Sequence, residues 1–247
     1  MTSVKNSLIS KFCNLIVKIT YPGKIIPAPK EIIDIVDEIS VKVNFRFKGV
    51  FIIQSKNKKL ATAYNCLRHL YITKELLEIV DQDELKAAIA HEMAHSIKKH
   101  FRRKFFFLIK SMSIVTLMLI LILIMLEKLV TATIIPFALL PLSLILLVLP
   151  GRIITTINRP LEIEADQEAV KIMKNPNPMV KLLAKIFVYN KTYKPSFLTK
   201  VSVKLFGSSH PAINERTRRI SQLSDEEINK LYKWAKQAII CRLNLNS

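Results

Sequence analysis

The sequence predicts an α+β fold that is predominantly helical, with a small antiparallel sheet in its first third and two apolar runs interrupting the chain midway. Three observations carry this reading. Apolar residues recur at helical spacing over most of the second half, short alternating stretches are confined to residues 41–72, and residues 105–126 and 129–150 are apolar almost without a break. The 247 residues suffice for one large domain or two small ones, and a hydrophobic content of 50% with positive mean hydropathy is high for a chain living wholly in water.

The elements follow in order. Residues 1–20 set Lys5, Lys11 and Lys18 among apolar residues; the lysines break any signal-peptide core and leave an amphipathic helix suited to a membrane surface or to a face of the protein. Residues 21–29, with three prolines and a glycine, read as a linker, and residues 30–39 as a short amphipathic helix. Val41, Val43, Phe45 and Phe47 alternate with polar residues, Gly49 turns the chain and residues 50–53 resume, the pattern of a β-hairpin. Residues 60–64 and 67–72 read as two more strands, broken at Asn65. Thr73 caps a short helix ending near Val80. Asp81-Gln82-Asp83-Glu84 then supplies a cap and an acidic first turn, followed by Leu85, Ala88, Ile89, Met93 and Ile97 with no Gly or Pro to interrupt. Further on, Pro160 takes the first position of a helix running to about Lys174, and Asn175-Pro176-Asn177-Pro178 stops it. Residues 179–192, 212–221 and 224–243 are helical, the last capped at Ser224 or Asp225, and residues 193–211 form a loop region with room for a short helix.

Each apolar run is 22 residues long, enough for a bilayer core of about 30 Å; Lys110 is the one charge in the first, and the second has none. Glu127 and Lys128 alone separate them, so they read as a hairpin of two spans. Lys98, Lys99, Arg102, Arg103 and Lys104 precede the hairpin, and Arg152 and Arg159 follow it, which places both termini and most of the protein on the cytoplasmic side of a cell membrane. The net charge of +19 would ordinarily raise nucleic acid as a partner. No nucleic-acid motif accompanies it, and an anionic leaflet accounts for it better, so the expected partner is the lipid bilayer. Cys13, Cys66 and Cys241 are odd in number, widely spaced and without a CxxC pair, which indicates neither a disulfide framework nor a thiolate metal site and fits a reducing cytosol.

Chemistry enters at His91-Glu92-Met93-Ala94-His95. Residues four apart share a helix face, so both imidazoles reach one zinc ion while Glu92 stands beside them to activate a water, the constellation of a zincin-like metalloprotease with one Zn2+ per chain. A catalytic zinc needs a third protein ligand. His100 lies five residues past His95, turned about 140° from it on a helix, and is a poor choice. Glu162 and Asp166 share a face at spacing four beyond the hairpin; one of the two carboxylates can bind the ion while the other accepts an imidazole N–H, and Glu164 points elsewhere.

The chain resembles the integral-membrane zinc peptidases that include the HtpX-type heat-shock proteases and the CAAX prenyl proteases. Their pattern is HExxH, membrane spans, R-x-x-E-x-x-A-D, then a His-Pro with a downstream Arg. Residues 158–166 match the second element, and Ser209-His210-Pro211-Ala212-Ile213-Asn214-Glu215-Arg216 the third; Leu60-Ala61-Thr62-Ala63 only loosely echoes the family's Asn-Ala-Phe-Ala strand. The resemblance implies Glu162 as the third ligand, Asp166 as the partner of a ligand histidine, His210 as a stabiliser of the oxyanion, and Arg216 as a structural or substrate-side contact. The domain plan is an amphipathic segment (residues 1–20), a catalytic domain in two parts (21–104 and 151–247), and the spans (105–150) between those parts. The expected activity is HtpX-like endoproteolysis of misfolded or damaged membrane proteins at the cytoplasmic face, with protein or peptide as substrate. A CAAX-type processing protease and a zinc-binding regulator without turnover are the alternatives. Continuing the helix from His95 to Phe105 would set the zinc about 15 Å from the first span.

Overall fold

The computed structural model describes residues 8–55, 60–129, 135–192, 203–205 and 211–245. Helix α1 (Leu8–Thr20) leads into strand β1 (Gly23–Pro27), α2 (Lys30–Val43), β2 (Gly49–Ser55), β3 (Ala63–Cys66), β4 (His69–Thr73), α3 (Lys74–Ile79) and α4 (Gln82–Ile97). Two long helices, α5 (His100–Leu129) and α6 (Ile135–Met173), follow, then α7 (Asn177–Lys191), α8 (Ile213–Ser221) and α9 (Asp225–Leu245). The chain divides into one unit of residues 1–98, 163–194 and 212–247 and another of residues 99–162 and 195–211.

In the first unit the sheet has the order β1-β2-β4-β3 and is mixed, not antiparallel: β1 pairs antiparallel with β2, β2 runs parallel to β4, and the β3–β4 hairpin closes the edge. The parallel pair brings together segments some twenty residues apart, a pairing that local alternation does not encode. The turn of the β3–β4 hairpin is Leu67-Arg68, both at positive φ (47° and 70°), the backbone that a two-residue hairpin turn needs and that Asn-Gly usually provides. The residues around it hold the turn in place: Lys48 N–H donates to the Arg68 carbonyl at 2.7 Å, and the Arg68 guanidinium donates to the Arg46 carbonyl and lies over the Phe45 ring.

Other expectations are corrected here as well. The stretch read as a linker contains β1, whose Gly23 is required because a Cβ there would run into the Gln54 carbonyl of β2. The alternation from Val41 does not make a strand. α2 continues to Val43 and is closed by Asn44 in the left-handed region, and Val43, Phe45 and Phe47 pack on the core as a helix end and loop. Cys13 and Cys66 are joined in a disulfide across 53 residues, a pairing created by docking α1 on the sheet and invisible to their spacing.

The core lies between one face of the sheet (Ile52, Leu70, Ile72) and helices α2, α3, α4 and α7. α4 is enclosed on all sides, with Ala87, Ala88, Ile89, Ala90, Met93 and Ala94 buried along with His91 and Glu92, so it has no solvent stripe and little amphipathic character. On the opposite face of the sheet, Cys13 and Val17 of α1 pack on Ile53, Cys66 and Tyr71, and the Tyr71 hydroxyl donates to Asn14 Oδ1 at 2.6 Å.

The second unit contains α5 and the first part of α6. Among the described residues one helix is long and apolar enough to cross a membrane, residues His100–Ile122, and its most apolar stretch is not buried. Glu127 and Lys128, expected to turn the chain, lie inside α5, and residues 130–134 fall outside the described residues. α4 and α5 are not one helix. α4 ends at Ile97 and Lys99 takes φ 55°, so the expected continuous path from His95 to Phe105 is broken. Pro160 likewise does not start a helix but lies within α6. The unit boundary falls inside α6, between Glu162 and Ile163.

Candidate metal centre

α4 is fixed at both ends before it presents any chemistry. Its first turn is a capping box: Glu84 N–H donates to Asp81 Oδ1 and Asp81 N–H to Glu84 Oε2, each at 2.9 Å. Lys185 of α7 donates to the same Glu84 oxygen at 2.7 Å, with both side chains buried. Burial pushes the Glu84 carboxyl up, against the pull of Lys185 and the Asp81 amide. At the other end Lys98 pairs with Glu168 of α6 at 2.9 Å.

One turn apart on this helix, His91 and His95 bring their Nε2 atoms to 3.2 Å with ring planes at 85°. Two nitrogens, each about 2.05 Å from one tetrahedral ion, would be about 3.3 Å apart, so the pair is set for a shared metal. Glu162 contributes the third group: one ligand atom each from His91, His95 and Glu162 lie within 4.8 Å of one another. Two imidazoles and a carboxylate, with one position left for water or substrate, are the donor set of a catalytic zinc site, and these residues fit the ion.

Asp166, one turn beyond Glu162, is fully buried and holds His91 Nδ1 at 2.9 Å. By accepting from Nδ1–H it leaves the Nε2 lone pair free to face the metal position. Arg216 of α8 donates to both Asp166 oxygens at 2.6 Å, from Nε and from a terminal nitrogen. Burial alone would push the Asp166 carboxyl up, but the Arg216 guanidinium and the His91 ring hold it below the usual carboxylate range. Arg216 thus stands two contacts from the metal position, behind Asp166 and His91.

Glu92 is largely buried, and its backbone carbonyl accepts from Asn65 Nδ2 at 2.9 Å; the same amide nitrogen donates to Ser96 Oγ at 2.7 Å. Asn65 thus stitches the edge strand β3 to the HExxH helix. The strand's approach is held too, since Asn190 of α7 clamps the backbone N–H and carbonyl of Ala61 at 2.9 and 3.0 Å. Burial pushes the Tyr64 and Tyr21 hydroxyls up, with the charge of Glu92 a lesser cause at each. In the sequence Asn65 reads only as a strand break, and the one sign of its role is a polar residue set within a short strand.

The structure thus brings His91, His95 and Glu162 together and sets Asp166 and Arg216 behind them. Glu164 and His100 lie outside the group, His100 being buried at the start of α5. His210 lies outside the described residues.

A family model, Peptidase family M48, matches residues 28–224. The crystal structure of S. mikatae Ste24p is similar in fold, with a TM-score of 0.54 and 18% identity over 85% of this chain. The chain spans about half the length of that protein, 55%. Comparison with curated protein sequences finds no match. The family match begins just after β1 and extends beyond α8, and so takes in the two histidines, the carboxylate turn of α6 and the arginine clamp; the chain belongs to peptidase family M48, the metallopeptidase family of HtpX and Ste24.

Proposed function

We propose that the protein is a membrane-anchored zinc endopeptidase of the HtpX type, cutting misfolded or damaged membrane proteins at the cytoplasmic face, with residues 105–126 and 129–150 as its two spans. The observation that carries the reading is the convergence of His91, His95 and Glu162 on one position, with His91 held by a buried, arginine-clamped Asp166. A zinc ion bound there supplies Lewis-acid polarisation of the scissile carbonyl and acidifies water. Glu92, beside the ligands on α4, takes the proton from the attacking water and returns it to the departing amine. Asp166 keeps the His91 tautomer, and Arg216 keeps Asp166 ionised. His210 is assigned to the oxyanion on the strength of the family pattern. The likeness to the Ste24p fold supports, as a second reading, a processing protease of CAAX type.

The test compares wild type with Glu92→Gln, purified in detergent, for zinc content and for cleavage of unfolded casein and of a prenylated CAAX peptide. Glu92→Gln is expected to keep its zinc and lose cleavage, because an amide cannot accept the proton. Residual cleavage near the wild-type rate overturns the role of Glu92. Cleavage of the prenylated peptide alone favours the processing reading, and zinc without any turnover by wild type favours a regulator.

A further inference from the structure

α1 carries apolar residues on two opposite faces. At 100° per residue, Ser10, Cys13 and Val17 cluster on one side, and these are the buried ones. Phe12, Leu15 and Ile19 lie within about 60° of one another on a side about 160° away. They are 55%, 57% and 72% exposed. A helix whose second face met only water would be polar there. Lys11 and Lys18 lie on the flank between the two faces, both exposed. The first 30 residues contain five lysines and no acidic residue. α1 is also not a loose tail, because Cys13 and Val17 of its buried face pack on Ile53, Cys66 and Tyr71 of the sheet and the Tyr71 hydroxyl donates to Asn14.

We propose that the Phe12, Leu15 and Ile19 face of α1 is a membrane-docking surface for an anionic lipid leaflet, lying in the headgroup plane with Lys11 and Lys18 on lipid phosphates. An apolar row edged by lysines and free of acids is complementary to such a leaflet in both polarity and charge, and a helix of this kind buries its row about 5–10 Å into the headgroup and acyl boundary. The partner is lipid and not a second copy of the chain, whose net charge of +19 opposes pairing two lysine-edged faces. Because α1 is fixed to the sheet, docking would hold β3 and the α4 site in one orientation to the bilayer. The inference rests on the membrane reading made above and adds a second attachment to it.

The experiment uses the full chain carrying Trp234→Phe, reconstituted in vesicles of phosphatidylcholine alone or of an equal mixture with phosphatidylglycerol. Single tryptophans are introduced by Phe12→Trp, Leu15→Trp, Ile19→Trp and, within the apolar helix, Ile114→Trp. Quenching is read with shallowly and deeply brominated phosphatidylcholine. The three α1 probes are expected to be quenched by the shallow bromines in the mixed vesicles, and Lys11→Glu with Lys18→Glu to weaken that association about fivefold per lysine. Quenching of Ile114→Trp with none at the three α1 positions overturns the proposal while leaving the membrane reading standing; so does cross-linking between copies through Leu15→Cys in place of quenching. Absence of quenching at Ile114→Trp as well refutes the membrane reading and this inference with it.

Discussion

Two successive helices, α4 and α5, solve opposite problems with opposite means. α5 is the more apolar, yet none of its spanning window is buried by protein. α4 holds two histidines and a glutamate in its centre, and it is enclosed on every side. Hydrophobicity therefore does not rank burial in this chain. What distinguishes the two helices is partners. α5 displays Phe105, Ile114, Leu117 and Ile122 outward and asks only for an apolar surrounding. Polar groups at the buried positions of α4 are met by named residues: Asp81 and Lys185 on Glu84, Asp166 on His91, Asn65 on the Glu92 carbonyl. A span tolerates exchange of one apolar residue for another, whereas a buried catalytic helix tolerates few changes in what touches it.

The sharpest break in that comparison is at the metal position. Glu162→Ala should abolish zinc retention, and Glu164→Ala, outside the ligand group, should leave it nearly unchanged; metal analysis after gel filtration of both variants decides. If Glu164→Ala loses the metal and Glu162→Ala keeps it, the register of α6 is wrong.

Next in size, Lys185→Met leaves Glu84 buried without its cation and should destabilise the fold by about 3–5 kcal/mol, while adding Glu84→Gln should recover much of that loss. Chemical denaturation of the single and double variants measures it. The same method compares apolar truncations. Ile89→Ala opens a cavity in the enclosed helix and should cost about 2–5 kcal/mol, whereas Leu117→Ala on exposed α5 should stay within about 0.5 kcal/mol in detergent. Equal losses at the two positions would erase the contrast.

The smallest effect belongs to the support behind the ligand. Asp166→Asn should weaken zinc binding about 10- to 100-fold without removing a ligand. It should also change the acid limb of stability. The folded Asp166 carboxyl lies below its unfolded value, so its contribution is complete above the ordinary carboxylate range and is lost as pH falls through the lowered folded value. Melting temperatures of wild type and Asp166→Asn should therefore converge on acidification, and a constant gap would contradict the assignment.

Features encoded locally were legible in the sequence. The Asp81–Glu84 capping box, the Thr73 cap of α3 and the HExxH spacing each depend on residues three or four apart, and each stands where the pattern put it. Features created by long-range docking were not. The parallel β2–β4 pair, the Lys185–Glu84 pair across 101 residues and the Cys13–Cys66 link leave no periodic trace. Two local signals misled for a physical reason. The 41–47 alternation served a helix end packed on the core, and the β3–β4 turn was misplaced because Leu67-Arg68 lacks the glycine or asparagine that announces such a turn. Pro160 was read as a helix start because proline costs most inside a helix, yet α6 accommodates it.

The link between α1 and β3 also makes the protein a reporter of its own topology. A disulfide persists in oxidising surroundings and is reduced by the thiol pools of the cytosol. Cys13 and Cys66 both belong to the unit that carries His91 and His95. The oxidation state of that one pair in protein taken directly from cells, read as a mass difference of two hydrogens, therefore tests the cytoplasmic placement proposed above for the HExxH helix, without a tag or an inserted label.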